Sequence, residues 1–153
     1  MTEPAQQRRG RRIAMTADEL DEFLDASWVC RLASVGGDGA PHNSPLWYVW
    51  FGGAIWLSSL SASQRWANLQ RDPRVSILVD GGASYSQLHG VELLGRVEIV
   101  GEVPRTGEDV PELDPVEERY ARKYNDGVMS HDGRHAWLRM VPDKIVSWDF
   151  RKM

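Results

Sequence analysis

The hydrophobic and polar residues of this chain follow mainly the two-residue alternation of β-strands. Such runs, rich in β-branched and aromatic residues, cover 28–35, 41–51, 54–59, 74–80, 136–141 and 144–150. Glycine-containing turns separate the first three runs, which predicts a three-stranded antiparallel meander. The last two runs flank Pro142-Asp143 and predict a further hairpin.

Segment 84–102 is also strand-like, but Gly90 and Gly95 interrupt its alternation. Glycine inside a long strand often marks a bulge at which a barrel sheet bends. We therefore expect this strand to turn a corner, and the whole pattern predicts six or seven antiparallel strands.

Three stretches show helical spacing instead. Thr16 and Glu19 form a capping-box pattern at the start of the first helix, which should run for about ten residues. The second helix lies within 63–71 and should end there because a proline follows closely. The third begins with Asp114 as its N-cap and Pro115 at its first helical position.

The composition is typical of one globular domain. The chain has 153 residues, of which 42% are hydrophobic and 26% are charged. We expect residues 13–153 to form that single domain, and the polar, basic residues 1–12 to form a flexible arm. Small antiparallel domains remove exposed strand edges by closing into barrels. The predicted fold class is therefore mainly β, a six- to seven-stranded antiparallel barrel with flanking helices.

Charge and hydropathy narrow the function classes. The formal net charge is −4 and the isoelectric point is about 5.5, which argues against nucleic-acid binding, since phosphate backbones need a basic face. The apolar runs are too short to span a bilayer, and no apolar signal segment follows the N-terminal arginines. Cys30 is the only cysteine, as is usual in a reducing compartment. We expect a cytoplasmic protein that binds neither membrane nor nucleic acid.

The stretch SSLSASQRWANLQRDP, residues 58–73, is the strongest candidate for a binding site. An apolar strand ends there in hydroxyl groups, a cation and an amide, namely Ser58, Ser59, Ser61, Ser63, Arg65 and Asn68. A helix N-terminus presents unpaired N–H groups and about half a positive charge, so such a junction suits an anion. The alternative is a solvated turn in which one serine caps the helix.

The sequence identifies no catalytic residue. It contains no nucleophile motif and no pair of carboxylates at a plausible site. His131, Asp132 and His135 are of metal-ligand type, but Gly133 between them disrupts a helical face and the cluster falls in a loop. We therefore expect no metal.

Several short motifs occur in an order that resembles one family. They are LASV at 32–35 followed by DGAP at 38–41, PLWYVW at 45–50, SQR at 63–65 with Asn68-Leu69, RDPRVS at 71–76, and VSWDF at 146–150. In their order and spacing, the chain resembles the split β-barrel flavin-binding family that includes pyridoxamine 5'-phosphate oxidase and the actinobacterial deazaflavin (coenzyme F420)-dependent oxidoreductases. The resemblance covers most of 15–150 and implies an FMN-binding-like split barrel.

This resemblance implies a homodimer with two cofactor sites at the subunit interface. Carried onto this chain, the loop and helix after the third strand would hold the cofactor's phosphate or ribityl chain through Ser58, Ser59, Ser63, Gln64, Arg65 and Asn68. The second strand would lie along the ring system through His42, Asn43, Ser44 and Pro45. Trp148 would reach the site of the second subunit.

The chain departs from the pattern of enzymes that oxidise pyridoxamine phosphate. Those carry two basic residues on the second strand and an arginine-lysine pair on the helix, whereas this chain has HNS at 42–44 and Gln64-Arg65. Fewer cations disfavour the dianionic phosphate of flavin mononucleotide (FMN) and suit F420, whose phosphodiester carries one charge. The glutamate tail of F420 then needs cations elsewhere, and we predict that it meets Arg8, Arg9, Arg11 or Arg12.

The resemblance favours an F420-dependent oxidoreductase that transfers a hydride between the cofactor and a small organic substrate. In such an enzyme the cofactor carries the hydride, so no catalytic acid or base is required. Two alternatives stay open: an FMN-dependent enzyme like pyridoxamine 5'-phosphate oxidase, and a protein that sequesters a flavin without turnover. A haem-degrading role is disfavoured because no histidine stands out as an axial ligand. Trp47, Tyr48 and Trp56 are candidate walls of a substrate site, although strand alternation favours the core for most aromatics.

Overall fold

The computed structural model describes residues 3–153, and the first two residues of the predicted arm lie outside this range. Eight strands and three α-helices occur in it. The strands are β1 Cys30–Val35, β2 Pro41–Leu46, β3 Tyr48–Phe51, β4 Ala54–Leu60, β5 Arg74–Gly81, β6 His89–Val100, β7 His135–Met140 and β8 Lys144–Asp149. The helices are α1 Ala17–Ala26, α2 Gln64–Arg71 and α3 Asp114–Tyr124.

The strands form an open antiparallel sheet, which confirms the predicted mainly β split barrel. Its path runs β2-β1-β5-β6-β7-β4-β3, and β8 pairs with β6 off this path. The predicted second strand, 41–51, is divided at Trp47, because β2 pairs with β1 whereas β3 pairs with β4. This change of partner within one strand run explains why the structure has eight strands and the pattern predicted six or seven.

Strand β6 serves both halves of the barrel. Its first part pairs with β5 and β8, and its last four residues pair with β7. The change of partner follows Gly95, which confirms the predicted corner, and a Cβ at Gly95 would lie 2.9 Å from Sδ of Met140. The predicted hairpin of the last two strands is wrong. Because β6 bends, β7 pairs with one half of it and β8 with the other.

The helices form where the sequence predicts them. Oγ1 of Thr16 accepts a hydrogen bond from the Glu19 N–H at 3.2 Å, and the Glu19 carboxylate accepts one from the Thr16 N–H at 3.3 Å, which confirms the capping box. Ser63 caps α2. Asp114 is not an N-cap, because a 3-10 turn at Pro111–Leu113 leads directly into α3. No helix within 3–153 is long and apolar enough to cross a membrane.

Apolar side chains are buried in two groups. The larger group fills the interior of the barrel. It includes Leu32 and apolar side chains from α1 and α2. The second group packs around Trp137 between β4, β7 and α3. Tyr48 and Trp56 belong to these groups, as strand alternation favours, whereas Trp47 is 42% exposed. Of the three candidate wall residues, Trp47 is thus the one with an accessible ring.

Residues 5–7 of the predicted arm run along β8. The Ala5 N–H donates to the Asp143 carbonyl oxygen at 2.7 Å. The Gln7 amide donates to the Ser147 carbonyl and accepts from the Ser147 N–H, both at 3.0 Å. A side-chain amide that satisfies both backbone groups of a strand residue acts like a neighbouring strand and covers the edge. The flexibility of residues 1–12 stays a prediction.

Candidate functional site

One end of the barrel interior is polar. On β1, the inward-facing Leu32 is followed two residues later by the inward-facing Ser34. On β4, Leu57 is followed in the same way by Ser59. Ser44 occupies the corresponding face of β2. Successive inward positions in a strand are two residues apart, so each row changes from apolar to hydroxyl at the same end. Helix α2 packs over β1 and β2 at this end.

Arg65, in the first turn of α2, enters this polar end and is only 7% exposed. Its Nε donates to Oγ of Ser59 at 3.1 Å, and its Nη1 donates to Oγ of Ser44 at 2.7 Å. Both partners are neutral, and no carboxylate within 3–153 forms an ion pair with Arg65. Burial lowers the pKa of this guanidinium below its ordinary value. The barrel end therefore holds a buried cation that lacks an anionic partner.

Asn68, one turn further along α2, organises a second set of hydrogen bonds. Its Nδ2 donates to Oγ of Ser34 at 3.2 Å. Its Oδ1 accepts from Nε2 of Gln64 at 2.8 Å and from Nη2 of Arg71 at 3.0 Å. Four polar side chains from α2 and β1 are thus held together beside Arg65. One of them, Arg71, is a second guanidinium on α2 at this site.

The serines of 58–73 have different roles. Oγ of Ser63 caps α2 by accepting a hydrogen bond from the Trp66 N–H at 3.1 Å. Ser59 is buried and contacts Arg65, as described above. Ser58 points to the opposite face of β4, because adjacent strand residues alternate between faces. The stretch combines a helix cap, as one interpretation predicted, with a polar cluster whose role in binding an anion stays a prediction.

The predicted site residues of β2 alternate between its two faces. His42 and Ser44 lie on one face, and Asn43 and Pro45 lie on the other. The first pair is half-buried and the second is exposed. His42 lies opposite Ser34 in the pairing of β1 with β2, next to the Asn68 hydrogen bonds. Its Nδ1 is buried and has no hydrogen-bond partner within 3–153. A buried imidazole nitrogen without a protein partner can be satisfied by a water molecule or by a ligand atom.

Trp148 lies opposite Gly90 in the pairing of β8 with β6. A Cβ at Gly90 would lie 2.7 Å from Cζ2 of Trp148, so the indole ring rests directly on the glycine. None of the hydrogen bonds around Arg65 and Asn68 involves Trp148. Its contact with a second subunit stays a prediction.

A cavity of about 360 Å³ opens on the other face of β4, and we call it the aromatic cavity. The Trp47 ring stacks on Tyr124 with centroids 4.3 Å apart and planes 7° apart, and Tyr120 tilts against both rings. Ser58 lines the same cavity. Strand β4 therefore carries neighbouring serines to two sites, Ser59 to the Arg65 cluster and Ser58 to the aromatic cavity.

Two histidines line the aromatic cavity, each with its own carboxylate. Nδ1 of His135 lies 2.5 Å from Oδ2 of Asp132, and Nε2 of His131 lies 2.9 Å from Oε2 of Glu117. The three residues that the sequence offered as a metal-ligand set are thus divided between two hydrogen-bonded pairs. No group of three or more potential metal ligands occurs within 3–153.

Glu117 and Arg105 form a buried ion pair behind this cavity, which the sequence did not reveal. Nη2 of Arg105 donates to Oε1 of Glu117 at 2.8 Å, and Nε donates to Oε2 at 3.1 Å. Burial alone would raise the pKa of Glu117, but hydrogen bonds from Arg105, His131 and Trp137 outweigh it and hold the pKa below its ordinary value. In sequence, Glu117 is simply an acid in the first turn of a helix, and no motif links it to Arg105.

The chain matches the family model described as pyridoxamine 5'-phosphate oxidase over residues 16–149. It belongs to this family. The matched segment contains the Arg65 cluster and the whole aromatic cavity. Both sites therefore lie on the split barrel that the pyridoxamine 5'-phosphate oxidase-like, flavin-binding proteins share.

Several solved structures resemble this member of the pyridoxamine 5'-phosphate oxidase family. A conserved hypothetical protein from Mycobacterium tuberculosis is 32% identical, with a TM-score of 0.78 over 97% of this chain and 92% of that one. A protein named F420 reductase is 22% identical, with a TM-score of 0.60 over 82% and 94% of the two chains. A FAD-binding protein from Mesorhizobium loti is 20% identical, with a TM-score of 0.64 over 88% and 94%. The last two show the shared fold alone. No curated protein matches this chain.

Proposed function

We propose that this chain is a coenzyme F420-dependent oxidoreductase that transfers a hydride between the cofactor and a small organic substrate. The observation that carries the proposal is Arg65, a buried cation at the start of α2 whose partners among the described residues are two hydroxyl groups. A buried charge is stabilised when an anion pairs with it, and a helix N-terminus offers further N–H donors. This end of the barrel therefore suits the phosphate group of a cofactor.

The supply of cations favours F420 over FMN. Helix α2 carries Arg65 and Arg71, whereas β2, with the sequence PHNSPL, carries neither lysine nor arginine. The phosphate of FMN has two charges near neutral pH, and the phosphodiester of F420 has one. One buried guanidinium with neutral donors around it matches the single charge. The protein named F420 reductase shares this fold at low identity, so the fold is compatible with that cofactor.

The residues that would hold F420 come from three elements, α2, β4 and β2. On α2 and β4 they are Ser59, Ser63, Gln64, Arg65 and Asn68, which would bind the phosphate or the ribityl chain, whereas Ser58, predicted with them, faces the aromatic cavity on the opposite side of β4. On β2, His42 offers its unpaired Nδ1, and Asn43, Ser44 and Pro45 would follow the ring. When bound, F420 supplies the hydride chemistry. The chain's own residues bind and orient the cofactor and exclude water.

We assign the aromatic cavity to the substrate. The stacked pair of Trp47 and Tyr124 gives it a flat wall, against which a planar, conjugated molecule can lie. The pair of His135 and Asp132 gives it a polar side. Strand β4 carries Ser59 to the Arg65 cluster and Ser58 to this cavity. The cofactor's phosphate and the substrate would therefore lie on opposite faces of β4, and hydride transfer requires that the ring of the bound cofactor reach from the phosphate site into the aromatic cavity.

We also propose that the protein acts as a cytoplasmic homodimer with its cofactor sites at the subunit interface. Trp28 is 55% exposed and makes an edge-to-face contact with Trp47, whose ring is also accessible. Exposed aromatic surface of this kind is typical of interfaces, and a second copy would cover it. Trp148 of each subunit would then contribute to the other subunit's site.

Fluorescence titration of the cofactor-free protein with F420 and with FMN tests the proposal. We expect F420 to bind at least about tenfold more tightly than FMN, which corresponds to about 1.4 kcal/mol. Arg65→Met should remove most of the affinity, and Arg65→Lys should retain part of it. Arg96→Met, which changes an exposed arginine on β6 outside both sites, is the matched control and should bind normally.

The other outcomes of this titration have definite meanings. Tighter binding of FMN would move the protein to the FMN-dependent, oxidase-like branch, and binding of neither cofactor would refute the assignment of Arg65. A substrate that reoxidises bound, reduced F420 faster than air does would identify an enzyme. If a broad panel of activated alkenes, quinones and nitroaromatics fails to do so, the sequestering role replaces the catalytic one.

A further inference from the structure

A second cavity, of about 250 Å³, lies between α1, β3 and α3 and is unusually rich in cations. Half of its lining residues are basic, and they are close together on α3: the lining consists of Asp25, Val49, Trp50, Arg119, Arg122 and Lys123. Residues three and four apart share one face of a helix, so Arg119, Arg122 and Lys123 project on the same side. We call this the basic cavity. None of its lining residues belongs to the Arg65 cluster or the aromatic cavity.

Lys123 is the unusual member of the basic cavity. Its Nζ is buried and has no hydrogen-bond partner within 3–153. The ammonium group lies 4.2 Å from the centroid of the Tyr48 ring and 5.3 Å from that of Tyr124, and these ring faces are its favourable contacts. An ammonium group has three N–H donors, and an aromatic face does not replace three acceptors. The site therefore has donors available for a ligand that brings its own oxygen atoms.

The neighbouring charges leave the basic cavity with excess positive charge. The Arg119 guanidinium lies over the Phe51 ring and forms no ion pair within the described residues. Arg122 pairs with Glu118, but both side chains are about two-thirds exposed, so that pairing is weak and exchangeable. Asp25, on the exposed surface of α1, is the only acid in the lining.

We propose that the basic cavity binds a dianionic tetrahedral oxyanion, the phosphoryl group of a small molecule. Lys123 would donate from the inner wall, and Arg119 and Arg122 would donate from the rim. Two guanidinium groups and one ammonium group match the charge and the several acceptor oxygens of such a group. This site is independent of the assignment of F420 to Arg65, because the two sites share no residue and no helix.

Affinity for the anion should depend on pH. Burial lowers the pKa of Lys123 to about 8, and the nearby Asp25 and Cys30 offset only part of that effect. The other groups that face the amine are the Tyr48 and Tyr124 rings, whose hydroxyls have pKa values raised by burial and stay neutral. Above pH 8, Lys123 loses its charge, and the cavity loses its innermost positive charge.

Sulfate is the probe of choice because it stays dianionic from pH 6.5 to pH 9. We would titrate the full-length, isotope-labelled protein with sodium sulfate at constant ionic strength and follow the amide resonances by two-dimensional NMR. We expect saturable shifts around residues 25, 49–50 and 119–123, and an affinity about tenfold lower at pH 9 than at pH 6.5. Sodium chloride and sodium acetate should not reproduce the saturable shifts.

Two variants and one control separate this site from general charge attraction. Lys123→Met should abolish the saturable response at both pH values, and Arg119→Gln should weaken it several-fold with little risk to folding, since Arg119 is exposed. Lys144→Met changes an exposed lysine on β8 and should leave the response unchanged. A response that persists in both cavity variants, or that acetate matches, would overturn the proposal. F420 binding should be normal in Arg119→Gln. The proposal for the basic cavity and the proposal for F420 at Arg65 can therefore be refuted separately.

Discussion

Nη1 of Arg65 lies 2.7 Å from Oγ of Ser44, and this contact joins the first turn of α2 to the inner face of β2. The two residues are 21 positions apart in the chain. Ser59, on β4, holds the adjacent Nε of the same guanidinium. One arginine therefore connects two strands that belong to different parts of the split barrel, and the same group is the proposed anchor for the cofactor.

The hydroxyl of Ser44 should stabilise the fold because it is an acceptor for a buried charge. Removing one acceptor from a buried, charged donor costs about 1 to 3 kcal/mol. We expect Ser44→Ala to lower the free energy of unfolding by that amount in urea denaturation. Ser86→Ala is the matched control, since Ser86 is exposed and its hydroxyl makes no described hydrogen bond, and it should change the value by less than about 0.5 kcal/mol. An equal effect in both variants would show that the Arg65 contact contributes nothing measurable.

The buried pair of Glu117 and Arg105 should make stability depend on acid pH. The pKa of Glu117 is lower in the folded protein than its ordinary value of 4.5, so the folded state favours the charged carboxylate. Its contribution is complete above about pH 5 and is lost as the pH falls and the carboxylate becomes protonated. Arg105 also pairs with Glu102, so Glu117→Gln removes one of two carboxylates from this buried guanidinium and should destabilise the protein by about 1 to 3 kcal/mol.

Denaturation between pH 3 and pH 7 measures both effects of the Glu117 change. The loss caused by Glu117→Gln should be largest at neutral pH and should shrink towards pH 3. Glu118→Gln, one residue away but exposed and paired only at the surface, should be nearly neutral throughout. A destabilisation by Glu117→Gln that stays constant with pH would mean that packing, and not charge, accounts for it.

The arginines of the N-terminal segment should matter for binding only at low salt. We predict that they attract the glutamate tail of F420, and exposed charges lose such attraction within about 10 Å at 0.1 M salt. Changing Arg8, Arg9, Arg11 and Arg12 to Gln keeps Gln7 on β8 and should weaken F420 binding several-fold at 20 mM salt. The difference from the unchanged protein should vanish near 0.5 M. If the variant and the unchanged protein bind F420 equally well at low salt, the N-terminal arginines do not contribute to the cofactor site.

Local patterns predicted most of the secondary structure correctly. The capping box of Thr16 and Glu19, the end of α2 before Pro73 and the corner after Gly95 depend on a few neighbouring residues, so the sequence shows them directly. The pairing of β7 and β8 was predicted incorrectly for the opposite reason. A short turn normally makes a hairpin, but both strands pair with β6, and the bend in that strand is what separates them.

The binding residues follow the same division. By itself, the sequence determined that Ser59, Ser63, Arg65 and Asn68 lie at a strand-to-helix junction, because the order of residues fixes that junction. Only the tertiary structure decided that Ser58 belongs to the aromatic cavity and that, among residues 3–153, Arg65 is buried without a carboxylate and Lys123 has no hydrogen-bond partner. The burial of a side chain and its hydrogen-bond partners depend on which distant strands lie next to each other. Packing across the whole barrel determines that arrangement.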